Sequence, residues 1–87
     1  MPVSEEFRKE HAYWVRRRDQ WRKDYRAIRD EIKYYREEMN YHNRENTYWL
    51  ANRSLIVLNS LRLHADKLMR ERNYISLKLK DTAYKYE

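Results

Sequence analysis

The chain has 87 residues, room for one domain with a modest core; 39% of them are charged, with 20 Lys and Arg against 14 Asp and Glu, for a net charge of +6. It has no Cys, no Gly and a single Pro, which excludes disulfides and thiolate sites and leaves few places to reverse the chain as a sheet requires. The expected class is therefore all-α, built from long helices.

At the N-terminus, Ser4 followed by Glu5 and Glu6 reads as a helix start: a hydroxyl to cap free N–H groups and acids at the positive end of the dipole. No apolar leader follows Met1, and the longest apolar-rich stretch, 54–63, is far shorter than the roughly 20 residues of a membrane span. An intracellular, cytoplasmic protein without a membrane segment is the expectation.

From there one stripe alternates in steps of four and three: Phe7, His11, Trp14, Arg18, Trp21, Tyr25, Ile28, Ile32, Tyr35, Met39 and His42. Spacing of this kind sustained over five heptads is a coiled-coil signature and predicts a helix over about 5–42. Tyr13, Ala27, Tyr34 and Tyr41 form a second heptad-spaced line, and Tyr suits an interface because it buries area while keeping a polar tip. Arg22, Arg26, Arg29, Lys33 and Arg36 make a basic ridge beside the seam.

Asn40, Asn43 and Asn46 cluster next, and Asn is poor in helix interiors but tolerant of turn conformations. A turn over about 43–46 is expected, with Asn46 or Thr47 capping a second helix over about 47–80. An unbroken rod is the competing possibility. The second stripe is Ser54, Leu58, Leu61, Ala65, Leu68, Arg72, Ile75 and Leu79. Around it Leu55, Ile56, Val57 and Leu63 make the helix apolar on nearly every side, more than one antiparallel neighbour covers. Residues 74–80 alternate in strand fashion, but a lone strand has no mate, so helix is expected there too.

Folding the chain back near Asn43 and Arg44 sets Trp14 opposite Ile75, Trp21 opposite Leu68, Tyr25 opposite Ala65, Ile28 opposite Leu61, Ile32 opposite Leu58 and Met39 opposite Ala51. It also brings Arg17 near Glu71, Glu10 near Lys78 and Asp24 near His64, with Arg29 and Arg62 as an unfavourable approach. A parallel dimer of the first helix is the rival, pairing Asp24 with Arg29 and Glu31 with Arg36 across copies. The hairpin, dimerising into a four-helix bundle, also covers the broad apolar segment and is the preferred architecture: a single helical domain over 1–87.

Little in the chain carries chemistry. On a straight helix His11 and His42 stand about 46 Å apart, and His64 lies midway along the other helix, so the three cannot share one site. Glu5-Glu6, Asp30-Glu31 and Glu37-Glu38 are neighbours that diverge around the helix. No glycine loop or activated nucleophile is present, and Ser54, Ser60 and Ser76 lack any elbow context. The expectation is a non-enzyme with no metal and no cofactor.

The sequence thus points to a small basic accessory protein: a protein–protein interaction or assembly module that self-associates and engages a protein partner. Trp14, Trp21, Tyr25, Ile28, Ile32, Tyr35, Leu58, Leu61, Leu68 and Ile75 are its expected interaction core, and Leu55, Ile56, Val57 and Leu63 its homodimer interface. The alternative is a nucleic-acid binder whose phosphate contacts are Arg22, Arg26, Arg29, Lys33 and Arg36.

Overall fold

The computed structural model describes residues 5–84. Two helices, α1 (Glu5–Arg44) and α2 (Tyr48–Tyr84), lie side by side as an antiparallel hairpin measuring 68 × 15 × 14 Å. The strand-like alternation over 74–80 is helical, and the expected cap at Ser4 lies outside the described residues. Acidic Glu5 and Glu6 occupy the first turn of α1 and basic His42 and Arg44 its last, both matched to the helix dipole.

The turn falls at residues 45–47, slightly beyond the Asn43–Asn46 expectation. Asn46 takes the left-handed conformation, φ 60°, that glycine usually supplies at a helix C-terminus. The Thr47 amide donates to the His42 carbonyl at 2.8 Å and the Asn46 amide to the Asn43 carbonyl at 3.3 Å, the bond pair of a Schellman motif. The Thr47 carbonyl then accepts from the amides of Leu50 and Ala51, which starts α2. Asn46 Oδ1 accepts from the Tyr48 hydroxyl at 2.7 Å and holds the turn from outside.

Between the helices the buried side chains are Ile28, Ala51, Ser54, Leu58, Leu68, Ile75 and Thr82, with Leu58 and Thr82 fully buried. Six of these come from α2 and follow its four-and-three spacing, extended by one step at each end. The register matches the apolar pairing read from the sequence: Trp21 Nε1 donates to the Leu68 carbonyl, and the Trp14 and Tyr74 rings meet edge to face at 5.6 Å.

Charges play a smaller part than the sequence suggests. The ion pairs among the described residues, Lys9–Glu5, Arg18–Asp19, Arg22–Asp19 and His42–Glu38, all lie within α1. Arg17–Glu71, Glu10–Lys78 and Asp24–His64 do not form ion pairs across the hairpin. Asp24 accepts from Gln20 at 2.9 Å instead, and the Lys78 ammonium sits 5.4 Å from the centre of the Tyr74 ring. An exposed cross-helix pair gains under about 1 kcal/mol, too little to hold two long side chains against local partners. The apolar stripes therefore set the register.

Candidate interaction surface

The expected interaction core lies along the seam. Ile28, Leu58, Leu68 and Ile75 are buried, while Trp14, Trp21, Tyr25, Ile32, Tyr35 and Leu61 are half-buried. Trp21 and Tyr25, one turn apart, stack with their ring centres 4.9 Å apart and planes at 10°. Both ends of the seam are closed by a histidine and a threonine. At the turn, His42 Nδ1 lies 3.0 Å from Thr47 Oγ1, whose proton goes to the His42 carbonyl, so the ring nitrogen donates. At the open end, His11 Nδ1 lies 2.8 Å from Thr82 Oγ1, whose proton goes back to the carbonyls of Lys78 and Leu79. Thr82 lies beyond the expected end of the second helix, although it continues that helix's stripe.

The outer face of α2, turned away from α1, carries four large exposed apolar side chains among polar ones such as Asn52, Asn59, Ser60 and Lys67. Trp49, Ile56, Leu63 and Leu77 are 68%, 70%, 70% and 66% exposed. They recur every seventh residue, with Arg70 filling the one gap, and so form a nearly straight line along the helix. Of the other expected interface residues, Leu55 is 38% exposed on an adjacent line and Val57 is half-buried beside the seam. Among the tyrosines of the second heptad line in α1, Tyr13, Tyr34 and Tyr41 are also exposed.

Arg22, Arg26, Arg29, Lys33 and Arg36 are all exposed. Only Arg22 touches a carboxylate, with Nη1 3.9 Å from Asp19 Oδ1; the other four form no ion pair among the described residues. At the N-terminal end of this ridge a groove of about 390 Å³ runs along the seam, lined by Arg18, Trp21, Arg22, Tyr25, Arg72, Ile75, Ser76 and Leu79. The Arg72 guanidinium lies 5.7 Å from the centre of the Trp21 ring. Arg18 Nε is buried with no hydrogen-bond acceptor among the described residues, its nearest carboxylate oxygen being Asp19 Oδ1 at 3.5 Å. In the sequence, Arg18 and Arg72 are visible only as breaks in two apolar stripes.

His11 and His42 sit at opposite ends of the seam and His64 is exposed on α2, so the three histidines are not brought together. Among the described residues no group of three His, Cys, Asp or Glu is placed to hold a metal, and no helix is long and apolar enough to cross a membrane. No protein-family model, no curated protein and no solved structure matches this chain.

Proposed function

We propose that the chain is a non-enzymatic assembly module whose hairpins associate in pairs through the outer face of α2. The observation that carries this reading is the exposed line of Trp49, Ile56, Leu63 and Leu77. Scattered apolar residues are ordinary on a protein surface, but large ones recurring every seventh residue on one side of a helix favour a packing face.

Arg70 argues for a second copy of the chain and for its direction. A parallel pairing of α2 sets Arg70 against itself, a like-charge contact. An antiparallel pairing centred between Asn59 and Ser60 sets Ile56 against the partner's Leu63, Trp49 against the partner's Arg70 and Asp66 against the partner's Arg53. Ile56 and Leu63 then meet each other, a cation meets an indole face, and opposite charges flank the contact, while Leu77 lies beyond the start of the partner's α2. The product is a row of four helices, with the two α2 helices in the middle and the two α1 helices outermost, because the contact lies on the side of α2 away from α1.

Light scattering on the eluting chain tests this. The expected mass is twice the 11.1 kDa of one chain, with a melting temperature that rises with concentration. Ile56→Asp and Leu63→Asp are expected to give monomers that keep their helicity, because neither side chain is used inside the hairpin. A native chain that runs as a monomer at every concentration removes the proposal.

The exposed and largely unpaired ridge from Arg22 to Arg36 favours a second reading, as a nucleic-acid-binding helix. Mobility shifts with single- and double-stranded DNA at rising salt test it. Binding that survives about 0.2 M salt and is lost in the Arg22, Arg26 and Arg29 triple Gln variant supports this second reading over simple charge attraction.

A further inference from the structure

We propose that the groove between the open halves of the helices is a binding site for a phosphomonoester attached to a flat ring, the chemistry of a nucleoside monophosphate. The site is separate from the outer face of α2 and does not depend on the assembly reading. Arg18 and Arg72 are the only Lys or Arg residues on their respective seam stripes, and the hairpin register sets them opposite one another. Both line the groove, together with Arg22. A seam position is where a helical pair ordinarily places an apolar side chain, and like charges facing across it oppose closure.

Compensation from the protein is incomplete. Asp19 is the carboxylate that reaches Arg18 and Arg22, at 3.5 and 3.9 Å, and Arg72 has only the face of Trp21. Three positive groups against one negative leave a surplus of two. A phosphomonoester carries about −1.5 to −2 near neutral pH, which matches that surplus more closely than a single carboxylate does. Guanidinium groups suit its oxygens because their N–H donors bind in pairs.

The rest of the groove indicates what the phosphate is attached to. Its volume of about 390 Å³ exceeds what a bare phosphate needs and falls within the range of about 300–1,000 Å³ typical of small-molecule sites. Trp21 and Tyr25 line it as a pair stacked on each other, the Arg72 guanidinium lies over the Trp21 ring, and Ile75 and Leu79 add apolar surface. A planar ring packs against an aromatic side chain or against an arginine plane.

Calorimetric titration of the full chain with AMP, inorganic phosphate and adenosine at low salt tests the assignment. The expected result is saturable AMP binding at one site per chain, about tenfold or more tighter than phosphate, with no saturation by adenosine. Arg72→Gln and Arg18→Gln are each expected to weaken AMP by about tenfold or more, while Lys67→Gln, exposed on α2 outside the groove and the ridge, changes it by less than about twofold. Melting curves of each variant confirm that the hairpin is intact, and the monomeric Ile56→Asp chain is expected to bind AMP as the native chain does. A single-stranded oligonucleotide that binds while AMP does not would reassign the arginines to a nucleic-acid backbone. Equal weakening by Lys67→Gln and Arg72→Gln would reduce the effect to diffuse charge. Either result, or the absence of saturation, overturns the proposal.

Discussion

Leu58 and Thr82 are both fully buried on the same seam, one in the half nearer the turn and the other at the open end, yet their surroundings differ. Around Leu58 the seam is mainly apolar, with Ile28, Ile32, Ala51 and Leu61 on the two stripes and Ser54 buried among them. Toward Thr82 it keeps the buried Leu68 and Ile75 but adds directional groups: His11 donates to the threonine, Trp21 donates to the Leu68 carbonyl, and Arg18 and Arg72 interrupt the two stripes. The turn half can hold the hairpin closed through burial alone. The open half gives up part of that burial for directional groups and a groove. A pair of helices this long thus needs tight packing over only part of its length, and the remainder is free to carry a site.

The most damaging change is expected in the turn half. Leu58→Ala removes a side chain with no solvent exposure and leaves a cavity between two helices that have nothing behind them to collapse inward. A loss of about 2–5 kcal/mol is expected, read from the urea midpoint at unchanged slope. A loss under about 1 kcal/mol would show that the turn half is not where stability resides.

Asn46→Ala comes next. The substitution places an ordinary residue at φ 60° and removes the acceptor of the Tyr48 hydroxyl, at an expected expense of about 1–2 kcal/mol. Asn46→Gly is expected to lose far less, since glycine tolerates that conformation. If both variants destabilise equally, the side-chain contact to Tyr48 matters more than the backbone geometry.

At the open end, Thr82→Val keeps the shape and deletes one hydroxyl. His11 is only half-buried and can turn to water, so the expected loss is about 1 kcal/mol, well below that of Leu58→Ala. Hydrogen exchange should localise the change to amides near both helix termini and leave the turn half protected.

How much of this was legible in the sequence follows from the range of the interactions. The stripes through Trp21, Ile28, Leu58 and Leu68 marked the helices, because burial repeats with the heptad and is summed over the whole length, but the antiparallel pairing was only the preferred option beside a parallel one, since heptad stripes fit both. The left-handed Asn46 was foreshadowed by the Asn cluster in a chain without glycine. The cross-helix ion pairs expected from the sequence do not form: their energies are small, and Asp24 and Lys78 settle on nearby groups. The groove was not legible. It arises from two interruptions, Arg18 and Arg72, that each look minor in their own helix and acquire meaning only when the fold sets them opposite each other.

Arg72→Met gives the smallest expected effect and the most informative sign. Methionine keeps an unbranched apolar stem over Trp21 and removes one of two facing charges. Against that gain stands the contact between the guanidinium and the Trp21 ring, worth about 0.5–1 kcal/mol at a partly exposed position. If the arginines are kept for what they bind, relief of like-charge opposition and better sealing of the seam should exceed that contact, and the ligand-free chain should melt slightly higher as the variant. Raising the salt concentration should narrow the difference by screening the native pair of charges. A variant that melts lower at every salt concentration would instead make Arg72 a structural element of the seam, with its contact to Trp21 outweighing the repulsion. The open half would then resemble the turn half in being built for closure, and the contrast between them would rest on Thr82 and His11 alone.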